Sequence, residues 1–163
     1  MKVGIVYYSR TGNTKKAAEI LKNKIEKDEN NVELIEIEHQ KKPGFFKAGR
    51  AAMTQKELPI KNTDFDLEKY DAILVGSPTW AGKPAPYLKT FFKKAENYKD
   101  KKAGVFITGS ASGEKNEKTS DFLKEYLSSV GLKTFNETLN LKMKKEEVKD
   151  KENKIDDFLE NIK

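Results

Sequence analysis

Short runs with the composition of buried strands alternate with stretches whose apolar residues recur at helical spacing. This alternation constrains the chain more than any other feature. The strand runs are Lys2–Tyr8, Val32–Ile37, Ala72–Gly76, Ala103–Thr108 and Thr134–Asn140. Helices are predicted over Asn13–Lys27, Pro86–Asn97, Glu117–Val130 and Lys144–Ile162; in the first, Ala17, Ala18, Leu21 and Ile25 share one face. Strands joined through helices run parallel, and a parallel sheet needs both faces covered. Right-handed crossovers then bring the C-terminal ends of the strands to one edge, where open sheets of this kind bind ligands. The expectation is one α/β domain over residues 1–163, a doubly wound parallel sheet with helices on both faces. The stretch His39–Tyr70 fits the pattern least; Phe45, Phe46, Met53 and Leu58 are expected to bury a short helix around Ala48–Thr54.

Three polar, glycine-bearing loops follow strands and meet at that edge. The first is Ser9-Arg10-Thr11-Gly12-Asn13-Thr14. A helix that opens directly after such a turn presents backbone N–H groups without helical partners and the positive end of its dipole. Gly12 permits a tight turn or a close approach. The segment suits a terminal phosphate held largely by neutral donors. The plainer alternative is a turn capped by Thr11 or Asn13, but one hydroxyl suffices for a cap and here four side chains have hydrogen-bonding ends. The second loop, Gly76 to Pro86, carries the only tryptophan, Trp80, beside Pro78, Thr79, Ala81, Gly82 and Lys83. Its indole offers a flat face to a planar ring, or else plugs the loop against the domain. The third, Thr108-Gly109-Ser110-Ala111-Ser112-Gly113, suits a backbone wall beside a planar ligand, or an ordinary flexible turn.

Composition removes several classes of function. The chain has no cysteine, which excludes disulfides, thiolate nucleophiles and iron–sulfur ligands. His39 is the only histidine, which excludes a multi-histidine metal site; it reads as a solvated loop residue. No metal site is expected. Net charge is +6, yet only Arg10 and Arg50 are arginines and the lysines alternate with glutamates along the chain. That pattern reads as a solvated, charge-paired surface, so nucleic acid is not an expected partner. No stretch has the length and apolarity of a membrane span and no signal-peptide shape precedes the first strand, so a cytoplasmic location without membrane insertion is expected.

These residues resemble the flavodoxin family. The resemblance runs along most of the chain in element order and rests on Ser9-Arg10-Thr11-Gly12-Asn13-Thr14, Gly76-Ser77-Pro78-Thr79-Trp80 and Thr108-Gly109-Ser110. It implies a five-stranded sheet of order 2-1-3-4-5 and one non-covalent FMN. By position, Ser9, Thr11, Gly12, Asn13 and Thr14 would hold the FMN phosphate, with Arg10 in the same cofactor-binding loop. Pro78, Thr79, Trp80, Ala81 and Gly82 would border the isoalloxazine ring, and Thr108, Gly109 and Gly113 would flank its other side. Three departures stand out. Thr108 to Lys118 contains no aromatic, which leaves one ring face open. The chain is basic where carrier flavodoxins are acidic. Ala81 stands where many members have glycine.

The resemblance implies an FMN-dependent electron carrier whose basic surface suits acidic partners such as ferredoxin-like or reductase domains. The alternative on the same scaffold is an NAD(P)H-dependent FMN or quinone reductase, with Lys47 and Arg50 as candidates for a nucleotide phosphate. A module that has lost its cofactor is disfavoured by the intact phosphate loop. No side chain stands out as a catalytic acid or base. A Lys83 ammonium near the ring would favour the anionic reduced flavin; the alternative is a solvated lysine.

Overall fold

In the computed structural model, which describes residues 1–110, 113–144, 147–148 and 153–162, the chain runs β1 (Lys2–Tyr7), α1 (Asn13–Glu26), β2 (Asn31–Glu36), α2 (Phe45–Thr54), β3 (Ala72–Trp80) and β4 (Lys83–Pro84). It continues through α3 (Tyr87–Lys94), β5 (Lys102–Gly109), α4 (Gly113–Ser129), β6 (Lys133–Thr134), β7 (Leu139–Lys144), β8 (Glu147–Val148) and α5 (Asn153–Glu160). The five long strands lie in the order β2-β1-β3-β5-β7, all parallel. Counted among themselves they have the expected 2-1-3-4-5 order. The three two-residue strands are additions: β4 and β8 fold back antiparallel on β3 and β7, and β6 pairs parallel with the first residues of β5.

Alternation along each strand sends side chains to two cores. On one face Val3, Ile5 and Tyr7 meet Ala17, Ala18, Leu21 and Ile25 of α1 and Ile155 and Phe158 of α5. On the other, Val6, Ile73, Val75 and Ile107 meet Leu88, Phe91 and Phe92 of α3 and Leu123 and Leu127 of α4. Helices therefore cover both faces, as expected. Burying these apolar faces supplies most of the folding drive.

Three expectations are corrected. The run Thr134–Asn140 is not one strand: Phe135 N–H donates to the Ala103 carbonyl at 2.8 Å, the chain leaves the sheet, and the main strand resumes at Leu139. Its true period-two signal is Leu139, Leu141 and Met143 inward against Asn140, Lys142 and Lys144. The last helix accordingly begins later than Lys144, which lies in β7; Lys145, Glu146 and Lys149–Glu152 fall outside the described residues. Finally, Phe45, Phe46 and Met53 do not bury α2: they are 76, 90 and 70% exposed, while Ala48 and Ala52 form its core face. Two alanines let the helix lie close to the sheet and leave its large side chains outside.

Candidate functional site

The C-terminal ends of β1, β3 and β5 carry the three loops. Gly12 adopts φ 95° and caps α1 without any side-chain cap bond. This left-handed turn costs glycine little and reverses the chain from β1 into the helix. Ser9 Oγ accepts from Gly12 N–H at 3.2 Å, which folds the loop on itself, and the Gly12 carbonyl accepts from Lys16 N–H at 2.9 Å. Thr11 is exposed and Asn13 is half-buried at the helix start. Thr14 points inward: its hydroxyl pairs with that of Thr108 at 2.8 Å, tying the first loop to the third. Arg10 turns the other way, and its Nε donates to the Pro43 carbonyl at 3.3 Å.

The second loop is a β-hairpin. β3 continues through Pro78, Thr79 and Trp80, and Trp80 pairs with Lys83 across the two-residue turn Ala81-Gly82. Both turn residues have positive φ, 50° and 76°, the signature of a type I′ turn. Ser77, fully buried, locks the hairpin: its Oγ accepts from Ala85 N–H at 2.8 Å and donates to the Pro78 carbonyl at 2.9 Å. Thr79 Oγ1 donates to Asn116 Oδ1 at 2.8 Å. Buried Asn116, on α4, also closes over Gly109, so the second and third loops share one polar anchor. Gly113 starts α4 and is exposed, and a Cβ added there would come within 3.8 Å of Glu117 Oε1, while Ala111 and Ser112 lie outside the described residues.

Trp80 neither stands free nor merely plugs the loop. It is half-buried, with ring centroids 5.4 Å from Tyr8 at 87° and 6.4 Å from Tyr87 at 80°. Tyr8 stacks on Tyr87 at 4.4 Å and 27°. His39, expected in solvent, is half-buried: Tyr8 Oη lies 3.3 Å from its Nδ1, and the backbone bridges to Ile60. Burial, then the charges of Lys42 and Lys61, hold the His39 imidazole below its ordinary pKa. Burial and then Tyr87 push the Tyr8 phenol well up, with Arg10 opposing. This edge is therefore walled by neutral aromatic rings. Lys83 does not face them: its Nζ stands 4.0 Å over the Phe122 ring on α4.

Of the sequence-predicted residues, Ser9, Gly12, Thr14, Thr79, Trp80, Thr108 and Gly109 are drawn into one connected edge, while Arg10 reaches toward α2 and Gly113 stays outside. Tyr8, His39, Tyr87 and Asn116 join it unannounced. Only Tyr8 and Tyr87 had a usable signal, an aromatic at each strand-to-loop or loop-to-helix boundary.

Residues 1–146 match the NADPH-dependent FMN reductase family. Among curated proteins the chain is 29% identical over 119 residues to the minor allergen Alt a 7 of Alternaria alternata, covering 69% of this chain and 58% of that protein. The chain thus spans little more than half the length of this relative. Among solved structures, a flavoprotein from Lactobacillus acidophilus NCFM in complex with FMN is 28% identical, with TM-score 0.67, covering 85% of this chain and 91% of that one. A flavodoxin from the domain Archaea matches in fold with TM-score 0.65 at 22% identity, covering 99% of this chain and 93% of that one. Among the described residues no helix is long and apolar enough to cross a membrane, and no cluster of metal-ligating side chains occurs. The chain belongs to the NADPH-dependent FMN reductase family and has a flavodoxin-like fold.

Proposed function

We propose that the protein passes electrons through FMN held at the three-loop edge, and that Ser9–Thr14 hold the FMN phosphate. The observation that carries this is the start of α1, where Gly12 turns left-handed with no side-chain cap and directs the helix's positive end to the sheet edge. Thr14 suits the role although its hydroxyl meets Thr108, because one hydroxyl accepts a bond and donates its own proton elsewhere. Pro78 to Gly82 would border the ring on one side, with Trp80 fixed by Tyr8 and Tyr87, and Thr108 and Gly109 would flank the other. Bound FMN supplies reversible acceptance of one or two electrons. The chain's own contribution is binding, orientation and water exclusion, and no side chain is assigned as acid or base.

A second reading, direct reduction by NADPH, is favoured by the absence of any aromatic between Thr108 and Lys118, which leaves a ring face free for a nicotinamide. The test is anaerobic reduction of the FMN-loaded protein, followed by absorbance, with dithionite and separately with NADPH. Bleaching by dithionite alone supports a carrier that takes electrons from protein partners. Rapid bleaching by NADPH supports the reductase. A protein that retains no FMN on desalting refutes both.

A further inference from the structure

One stretch accounts for most of the net positive charge of this chain. Residues 39–56 contain Lys41, Lys42, Lys47, Arg50 and Lys56 and no acidic residue, so the remainder of the chain is close to neutral against the total of +6. All five are exposed, and none forms an ion pair among the described residues, whereas Lys2, Lys15 and Lys24 elsewhere sit on carboxylates. The same segment carries the inverted helix α2. Phe46 and Met53, seven positions apart and so on one face roughly 10 Å apart, point to solvent, and Phe45 meets Phe46 edge-on at 5.8 Å. A groove of about 550 Å³ beside them is lined by Lys41, Lys42, Phe45, Leu58 and Tyr87. Tyr87 belongs to the Trp80 cluster, and Arg10 of the first loop holds Pro43 at the edge of this patch. The patch thus adjoins the three-loop edge.

We propose that this face, centred on Phe46 and Met53 and ringed by the five cations, is the docking surface for an acidic redox protein. The proposal rests on the FMN electron-transfer reading above. An aromatic and methionine centre with a charged rim is the composition of a protein interface. Charge decides the occupant. A second copy in two-fold contact would set five unpaired cations against five, whereas a carboxylate-ringed partner neutralises them and is steered to the site. A membrane surface fits less well: α2 has only ten residues, Phe45–Thr54, and the patch continues into the cofactor edge rather than standing apart.

The test measures binding of the FMN-loaded full chain to a purified acidic plant-type [2Fe–2S] ferredoxin by calorimetry. It is run at about 10 mM salt, where the Debye length is about 30 Å, and at about 0.15 M, where it is about 8 Å. Binding at low salt is expected to weaken by roughly tenfold or more at the higher salt, and by a similar factor at low salt in Lys41→Glu/Lys42→Glu/Lys47→Glu and in Phe46→Ser. Lys27→Glu/Lys99→Glu/Lys102→Glu, with the same change in net charge elsewhere on the surface, is expected to bind within about twofold of wild type. Equal losses in both triple variants would reduce the effect to net charge and overturn the proposal. So would displacement of ferredoxin by 2′,5′-ADP, which would make the patch a nucleotide site. Binding to phosphatidylserine vesicles in place of ferredoxin, with the same variant pattern, overturns it in favour of a membrane. The FMN-to-protein absorbance ratio of the same samples separates the two readings: full FMN without ferredoxin binding sinks the docking surface alone, and no FMN sinks the cofactor reading.

Discussion

Thr14 and Thr108 join two loops through a single hydroxyl–hydroxyl bond of 2.8 Å, and both residues are almost wholly buried, at 1% and 2% exposure. Valine has nearly the same shape as threonine with a methyl in place of the hydroxyl. Thr14→Val or Thr108→Val alone leaves the other hydroxyl buried without its partner, at a cost of about 1–3 kcal/mol. The double variant removes both polar groups and fills the same volume with methyls, and its cost is expected to stay under about 1 kcal/mol. For a chain of this length each kcal/mol moves Tm by roughly 2–4 °C, so each single variant melts several degrees low and the double returns close to wild type. The assay is urea unfolding of the FMN-free protein at all four corners of the cycle, which isolates the coupling energy. Additive losses, with the double variant worse than either single, would refute the claim that the hydroxyls satisfy each other. With FMN added, Thr14→Val is expected to lower affinity more than Thr108→Val, because only Thr14 lies in the phosphate loop.

Ala81 holds φ 50°, a left-handed conformation that an alanine adopts only at a cost and that asparagine tolerates better; Ala81→Asn is expected to raise stability by roughly 0.5–1 kcal/mol in urea titrations, and a loss would show that the hairpin relaxes when the protein is free in solution. A Cβ on Gly76 would enter the Phe106 ring, so Gly76→Ala is expected to cost about 3 kcal/mol, partly recovered by adding Phe106→Leu; a neutral single variant would refute the packing there. Glu33 accepts from Lys2, Lys69 and Tyr70, which hold its carboxyl down to about 2. A depressed acid stabilises the fold above its unfolded pKa of about 4.5 and loses that stabilisation as pH falls toward 2. Glu33→Gln should therefore melt lower than wild type at neutral pH, with the gap closing below about pH 4; a gap independent of pH would deny the linkage.

Much of this molecule is legible in local pattern. The alternation of strand and helix dictates parallel pairing, two covered faces and a common loop edge, because period and connection length are properties of neighbouring residues. The loops at Ser9, Gly76 and Thr108 could be placed at that edge for the same reason. What local pattern does not encode is which side chain another will meet across the fold. Thr14 and Thr108 are 94 positions apart, and their pairing exists only once β1 and β5 are both laid against β3. His39 reads as solvated beside two lysines, yet the return of the chain at Ile60 folds it against Tyr8. The apolar stripe of α2 reads as a core face by hydrophobicity, but the tertiary fold seats the helix on Ala48 and Ala52, because only small side chains allow the close contact, and so turns Phe46 and Met53 outward.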